Sequence, residues 1–236
     1  MTESQRKKLK QELLWQKAAK NEECDIFFIV HNQPELTKDC LKSIESSTTH
    51  YKLHIWDNSS NKKTSNILKR TNFSSLIKTQ ENKGFIFPNN YLYKITFSPY
   101  IILLNNDTIV SPGWKEALLG CLQNTTYSAV GFEPCKIGKN FIGYPSSCED
   151  FDYLSGSCLC LKRECIGDTL FDENLHFAYG EDSDLCLRLK KNLYCLSLKY
   201  FKHFGSRTIS EVSKKIDTST TFNNNHKYLV EKWRIH

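Results

Sequence analysis

The chain has 236 residues, is 39% hydrophobic and carries a formal net charge of +6. That is enough for one large domain with a substantial core, and no apolar run approaches the ~20 residues that span a bilayer. The N-terminus, "MTESQRKKLKQELLWQ", has no continuous apolar segment of signal-peptide type, so a cytoplasmic protein with its ten cysteines reduced is expected.

Residues 1–22 predict a helical extension, polar on most sides, with Leu9, Leu13, Leu14 and Trp15 as a short apolar stripe. A strand–helix rhythm then begins. "DIFFIV", "YKLHIWD", "SSLIKTQ" and "YIILLNND" are strand candidates, and residues 34–44, 62–70 and 85–95 are helical candidates between them. Pro34 suits a first helical turn, where its missing N–H does no harm. Apolar strands alternating with helices predict an α/β fold with a mostly parallel, Rossmann-like sheet and right-handed crossovers. In such sheets ligands bind beyond the carboxyl ends of the strands. Three strand candidates end there in polar residues: His31-Asn32, Asp57-Asn58-Ser59 and Asn105-Asn106-Asp107.

The second half mixes its elements. Residues 114–122 predict a helix, 127–132 a strand, 133–150 a loop, and 152–162 a strand followed by a short turn. "EDSDLCLRLKK" opens a helix with acids and closes it with bases, as the helix dipole favours. Residues 193–201 predict a strand, and the chain from Gly205 reads as a polar tail. Basic charge gathers at the ends: six Lys/Arg against two Glu in residues 1–20, and eleven Lys/Arg against three acids in 188–236. Such ends serve equally as solubilising extensions or as contacts to an anionic acceptor, a peripheral membrane surface or nucleic acid.

Six segments, "FFIVHNQPELTKDCLKSI", "IWDNSS", "ENKGFIFPNN", "ILLNNDTIVSPGW", "YLSGSCLCLKR" and "LFDENLHFAYGEDSDLCLRL", follow the order and spacing of inverting nucleotide-sugar glycosyltransferases. The chain resembles family 2 of these enzymes, in particular its rhamnosyltransferase-like branch, over about residues 24 to 206. The resemblance implies the GT-A (nucleotide-diphospho-sugar transferase) fold over residues 23–206. Residues 23–110 would be the nucleotide-binding half, 111–206 the acceptor and catalytic half, and 207–236 a basic tail.

The same resemblance assigns roles. Asp57 matches the carboxylate that binds the donor's pyrimidine base, although Asp-Asn-Ser is also good turn chemistry. His31 takes a place often aromatic, against the base, and Asn32 follows it as a nucleotide contact or a turn cap. Asn82, Gly84, Phe85 and Asn89 match the segment facing the nucleoside and diphosphate, where a helix N-terminus offers N–H groups to an anion. Asn105-Asn106-Asp107 stands where the family has its acidic metal element. Asp107 is the expected ligand for Mn²⁺ or Mg²⁺, Asn106 a donor contact, and His203 the ligand that completes the metal site. Ser206 and Arg207 are candidates for phosphate contact. Gly156 and Ser157 match the donor-sugar pocket, Phe171-Asp172-Glu173 the acceptor side, and Asp182 the catalytic base, with Glu181 orienting the acceptor. Acids at a helix start are also ordinary dipole partners, and Asp184 can pair with Arg188 one turn on.

The implied function is metal-dependent, inverting transfer of a sugar from a UDP- or dTDP-linked donor to a glycan, lipid-linked or polysaccharide acceptor. Glycosylation of modified nucleic-acid bases and a non-catalytic nucleotide-sugar-binding role are the alternatives.

Overall fold

The structure, a computed structural model, describes residues 2–19, 23–205 and 218–234; Ser206 and Arg207 lie outside them. Twelve strands are described: β1 (Cys24–Val30), β2 (Tyr51–Asn58), β3 (Ser75–Thr79), β4 (Tyr100–Asn105), β5 (Thr108–Val110), β6 (Ala129–Gly131), β7 (Pro134–Ile137), β8 (Gly143–Pro145), β9 (Tyr153–Leu154), β10 (Cys158–Lys162), β11 (Leu193–Cys195) and β12 (Phe201–His203). The α-helices are α1 (Glu3–Ala18), α2 (Pro34–Ser47), α3 (Lys62–Leu68), α4 (Ile86–Ile95), α5 (Trp114–Asn124), α6 (Glu181–Arg188) and α7 (Thr218–Trp233).

The main sheet has seven strands in the order β11-β6-β10-β4-β1-β2-β3. Only β10 runs against its neighbours, β4 and β6. The apolar runs of the sequence follow from burial on both faces. Along β1, Ile26, Phe28 and Val30 enter the core beneath α1, α2 and α5, while Phe27 enters the opposite core with α4 and α6. In β4, Ile102 and Leu104 face the first core, and Ile101 and Leu103 the second. A pleated strand covered by helices on both sides needs apolar residues at every position. No helix among the described residues is long and apolar enough to cross a membrane.

Several elements differ from the sequence reading. In α1 the packed face is Glu12, Trp15 and Ala19, all buried, while Leu13 and Leu14 are exposed. The spacing of three and four residues, not apolarity alone, selects the face that turns inward. Gly120 of α5 lets α1 come close, since a Cβ there would lie 2.1 Å from the Trp15 carbonyl oxygen. The strand expected over 152–162 breaks into β9 and β10, leaving Ser155-Gly156-Ser157 as an open turn. The strand expected over 193–201 divides into β11, a 3₁₀ turn and β12. The polar tail contains α7, whose Leu229 is fully buried. Finally, Cys148 and Cys195 form a disulfide across 47 residues, with Cα atoms 5.3 Å apart. The reading of ten reduced thiols is therefore corrected for this pair, whose proximity comes from a loop folding onto β11 and leaves no spacing signature.

Candidate active site

The carboxyl ends of β1, β2 and β4 open onto a cleft of about 430 Å³. His31, Asn82, Gly84, Phe85, Asn106, Asp107, Gly156, Ser157, Glu181, Asp182 and His203 all line it. Residues dispersed over 170 positions of sequence thus share one cavity.

Asp107 and His203 meet through strand pairing. β12 runs antiparallel to β5 with His203 opposite Thr108, and the Phe204 N–H donates to the Asp107 carbonyl at 2.9 Å. His203 Nε2 lies 3.2 Å from Asp107 Oδ1. The contact is an ion pair rather than an aligned hydrogen bond, because Nε2 has no hydrogen-bond partner among the described residues. On its other edge, His203 Nδ1 lies 3.0 Å from Glu133 Oε2, and Glu133 also accepts from the Ser157 hydroxyl. Burial alone would depress His203, but its carboxylate partners Asp107 and Glu133 outweigh it and raise the imidazole to about 9. Burial opposes ionisation of Glu133, yet hydrogen bonds from His203 and Ser157 hold it below the usual glutamate range.

Among the described residues, no group of three or more His, Cys, Asp or Glu side chains has metal-holding geometry. A carboxylate and an imidazole 3.2 Å apart on one cleft could both turn toward a divalent cation whose remaining ligands come from phosphate oxygens. A carboxylate fixing the far nitrogen of a ligating histidine is the usual outer support of such a site.

Asp182 lines the same cleft. Gly180, with φ +85°, starts α6. The Asp182 carboxylate then accepts from the Gly156 N–H at 3.1 Å and the Ser183 N–H at 2.8 Å. Burial raises its pKa, and burial together with the charge of Asp182 raises that of Glu181. Glu181 Oε2 is buried without a hydrogen-bond partner among the described residues. Asp182 keeps some surface on the cleft. A carboxylate of raised basicity, open to a substrate hydroxyl, is equipped to accept a proton.

Three expected nucleotide contacts do not line the cleft. Asp57 is 2% exposed, and its carboxylate accepts from the Ser60 N–H at 2.8 Å and the Ser65 hydroxyl at 2.6 Å, with Lys78 at 3.3 Å. In this structure it fastens β2 to α3. Asn32 caps the neighbouring turn by accepting from the Asn61 N–H, and Asn89 donates back to the Phe85 carbonyl within α4. The α4 N-terminus is not open to an anion either, because the Phe85 and Ile86 N–H groups both donate to the Phe177 carbonyl. That contact needs Gly84, where a Cβ would lie 2.3 Å from the same carbonyl oxygen.

Other residues take up the cleft. Asn58 donates to Asn82 at 2.6 Å and to the Gly84 carbonyl at 2.8 Å, and accepts from the Lys83 N–H at 2.7 Å. It clamps the 82–84 turn at the rim. His31 Nδ1 lies 2.7 Å from the Asn58 carbonyl and must donate to it, leaving Nε2 to accept from Asn32. Phe177, Tyr179, Thr218, Phe222 and His226 also line the cleft. The α6 pairing is present, with Arg188 3.0 Å from Asp184, but Lys232 and Trp233 of α7 converge on the same buried carboxylate at 2.6 and 2.9 Å. Asp172 likewise anchors α7 through Lys232 and Tyr228.

Comparison with known proteins agrees with this architecture. The chain superimposes on GalNAc-T7 with UDP, GalNAc and Mn²⁺ (TM-score 0.59, 13% identity, 71% of this chain and 40% of that one). It also superimposes on the mannosyltransferase PcManGT from Pyrobaculum calidifontis in complex with GDP-Man and Mn²⁺ (0.58, 13%, 81% and 63%). A third likeness is to residues 1–349 of S. aureus TarS (0.60, 15%, 88% and 70%). At these identities the likeness establishes the GT-A fold. The chain thus spans less than two thirds of the first two neighbours. No curated protein sequence matches. The family model described as glycosyl transferase family 2 matches residues 25–157, more than half of the chain. With its mostly parallel sheet and the cleft at its carboxyl edge, this chain belongs to glycosyl transferase family 2.

Proposed function

We propose that the chain is a metal-dependent, inverting glycosyltransferase that moves a sugar from a UDP- or dTDP-linked donor to an acceptor hydroxyl. The observation that carries this reading is the convergence in one cleft of the paired Asp107 and His203 with a carboxylate of raised basicity, Asp182. Asp107 and His203 would hold the Mn²⁺ or Mg²⁺. A bound divalent cation neutralises the departing diphosphate, so that no general acid is needed. Asp182 takes the acceptor's proton as its oxygen bonds to the anomeric carbon and the bond from that carbon to the diphosphate oxygen breaks. The nucleoside diphosphate leaves with the bonding pair, and an α-linked donor yields a β-linked product. His31, Asn82, Gly84, Phe85 and Asn106 line the donor side in this reading, Gly156 and Ser157 the sugar pocket, and Glu181 the acceptor approach. Residues 23–206 are the catalytic domain. The rhamnosyltransferase-like branch remains the subgroup that the sequence motifs support.

Thermal shift over a panel of nucleotide sugars, with and without Mn²⁺, tests this reading, because a ligand that binds the folded state raises its melting temperature. UDP- or dTDP-sugars should stabilise the protein, and more so with Mn²⁺. A flat response across the panel would overturn the proposal.

A further inference from the structure

Helix α7 supplies part of the cleft that holds Asp182, and the structure explains how. Asn225 is 1% exposed. Its amide donates to the carbonyls of His176, Ala178 and Tyr179 at 3.0, 2.8 and 3.1 Å, and its oxygen accepts from the His176 N–H at 3.1 Å. One side chain thereby fixes the backbone that leads directly into Glu181 and Asp182. Leu229 closes over Gly180, where a Cβ would lie 2.3 Å from the leucine Cδ1. Phe177 and Tyr179 are held at φ +63° and +81°, conformations that such residues keep only when their surroundings impose them.

The fixed helix presents rings to the cleft. Phe222 and His226, one turn apart, stack at 3.9 Å, and Tyr179 meets the Phe222 ring edge-on at 5.2 Å. His226 Nδ1 lies 2.7 Å from the Phe222 carbonyl and donates to it, so Nε2 carries the lone pair. Burial keeps this imidazole below its ordinary value, hence neutral. No Lys or Arg lines the cleft among the described residues, whereas Asp107, Glu181 and Asp182 do.

Building on the proposed transfer reaction, we propose that Tyr179, Phe222 and His226 form an acceptor subsite for a neutral carbohydrate ring. The C–H face of a pyranose is apolar and faintly positive, and it lies well against the negative face of an aromatic ring. Its hydroxyls can donate to His226 Nε2 while one of them reaches Asp182. A nucleic-acid acceptor would also offer flat rings; its phosphates, unlike the donor's diphosphate with its proposed cation, would meet carboxylates and no Lys or Arg among the described lining residues, which favours the neutral sugar.

Saturation-transfer NMR on the full chain with UDP and Mn²⁺ present tests the subsite. The probes are neutral oligosaccharides of glucose, galactose, mannose and N-acetylhexosamines, with a short oligothymidylate as the nucleic-acid arm. At least one oligosaccharide should show saturation concentrated on the C–H protons of one ring. Phe222→Leu keeps the bulk of the side chain but removes the aromatic face, and should weaken that binding by roughly tenfold, with Phe222→Trp restoring it. The inference is overturned if no oligosaccharide binds, if Phe222→Leu binds equally well, or if only the oligothymidylate binds. UDP affinity measured on the same samples reports on the donor reading separately, so failure of one is distinguishable from failure of the other.

Discussion

Glu133 and His203 face each other at 3.0 Å although 70 residues separate them, and this contact fixes which imidazole nitrogen turns toward Asp107. If that orientation prepares His203 for a cation, Glu133→Gln should weaken Mn²⁺ binding by about 10–100-fold, the usual cost of losing such outer support. Calorimetric titration of Mn²⁺ into the UDP complex provides the measurement. Unchanged affinity would assign Glu133 a packing role only.

The same cluster gives the metal-free protein a pH signature. His203 is raised from 6.5 to about 9 on folding, so its stabilisation is complete below pH 6.5 and is lost as pH climbs through about 9. Glu133 is depressed, so its contribution is present above the ordinary glutamate range and is lost on acidification. With a chelator present, the melting temperature should therefore fall between neutrality and about pH 9, and His203→Gln should flatten that limb. An equally steep alkaline fall in the variant would assign the effect to other groups.

Asp182→Asn keeps the shape of the carboxylate and one of its two backbone hydrogen bonds but cannot take up the acceptor's proton. Transfer should drop by about 10²–10⁴-fold, the typical contribution of a positioned base. Nucleotide-sugar affinity should remain as in the parent. Radiolabel transfer and a separate binding titration distinguish the two effects, and full turnover in the variant would remove Asp182 from the role.

Gly84→Ala would drive a methyl group toward the Phe177 carbonyl at a position with φ +76°. A loss of about 1–3 kcal/mol is expected from the strained backbone, together with weaker nucleotide binding as the 82–84 turn shifts. Urea denaturation followed by a UDP titration checks both, and a neutral outcome would mean that the turn accommodates the methyl group.

Asn225→Ala would leave the carbonyls of residues 176, 178 and 179 without their shared donor. The cost should be about 1–3 kcal/mol. Amide exchange should accelerate first in residues 176–180 and α7, before the central sheet responds. Uniform acceleration across the whole chain would indicate global destabilisation instead.

The parallel core was legible because strands buried on both faces show as unbroken apolar runs, and their polar ends marked the ligand edge. Asp107, His203 and Asp182 were legible through ordered motifs, and the cleft brings them together. Asp57 and Asn58 show a limit of that reading. Consecutive residues of a strand point to opposite faces, and the pleat sends Asp57 toward Ser65 of α3 and Asn58 toward the cleft. Glu133 gave no signal, since it lies in a loop-like stretch and acquires its role only when β12 returns beside β5. Helix α7 was obscured by its Asn-rich, polar composition. Its key residue is an asparagine that serves the backbone of a different segment, a use that periodicity does not reveal.

Chain order gives α7 one further consequence. The described residues proposed to bind donor or move a proton lie before Phe204, yet part of the aromatic lining of the same cleft comes from residues 218–233. A variant lacking residues 218–233 would keep Asp107 and His203 but lose the aromatic lining together with the Asn225 and Leu229 contacts on the backbone that enters Asp182. Such a variant should still take up nucleotide sugar while transfer to an acceptor falls, so donor binding and transfer come apart at this helix.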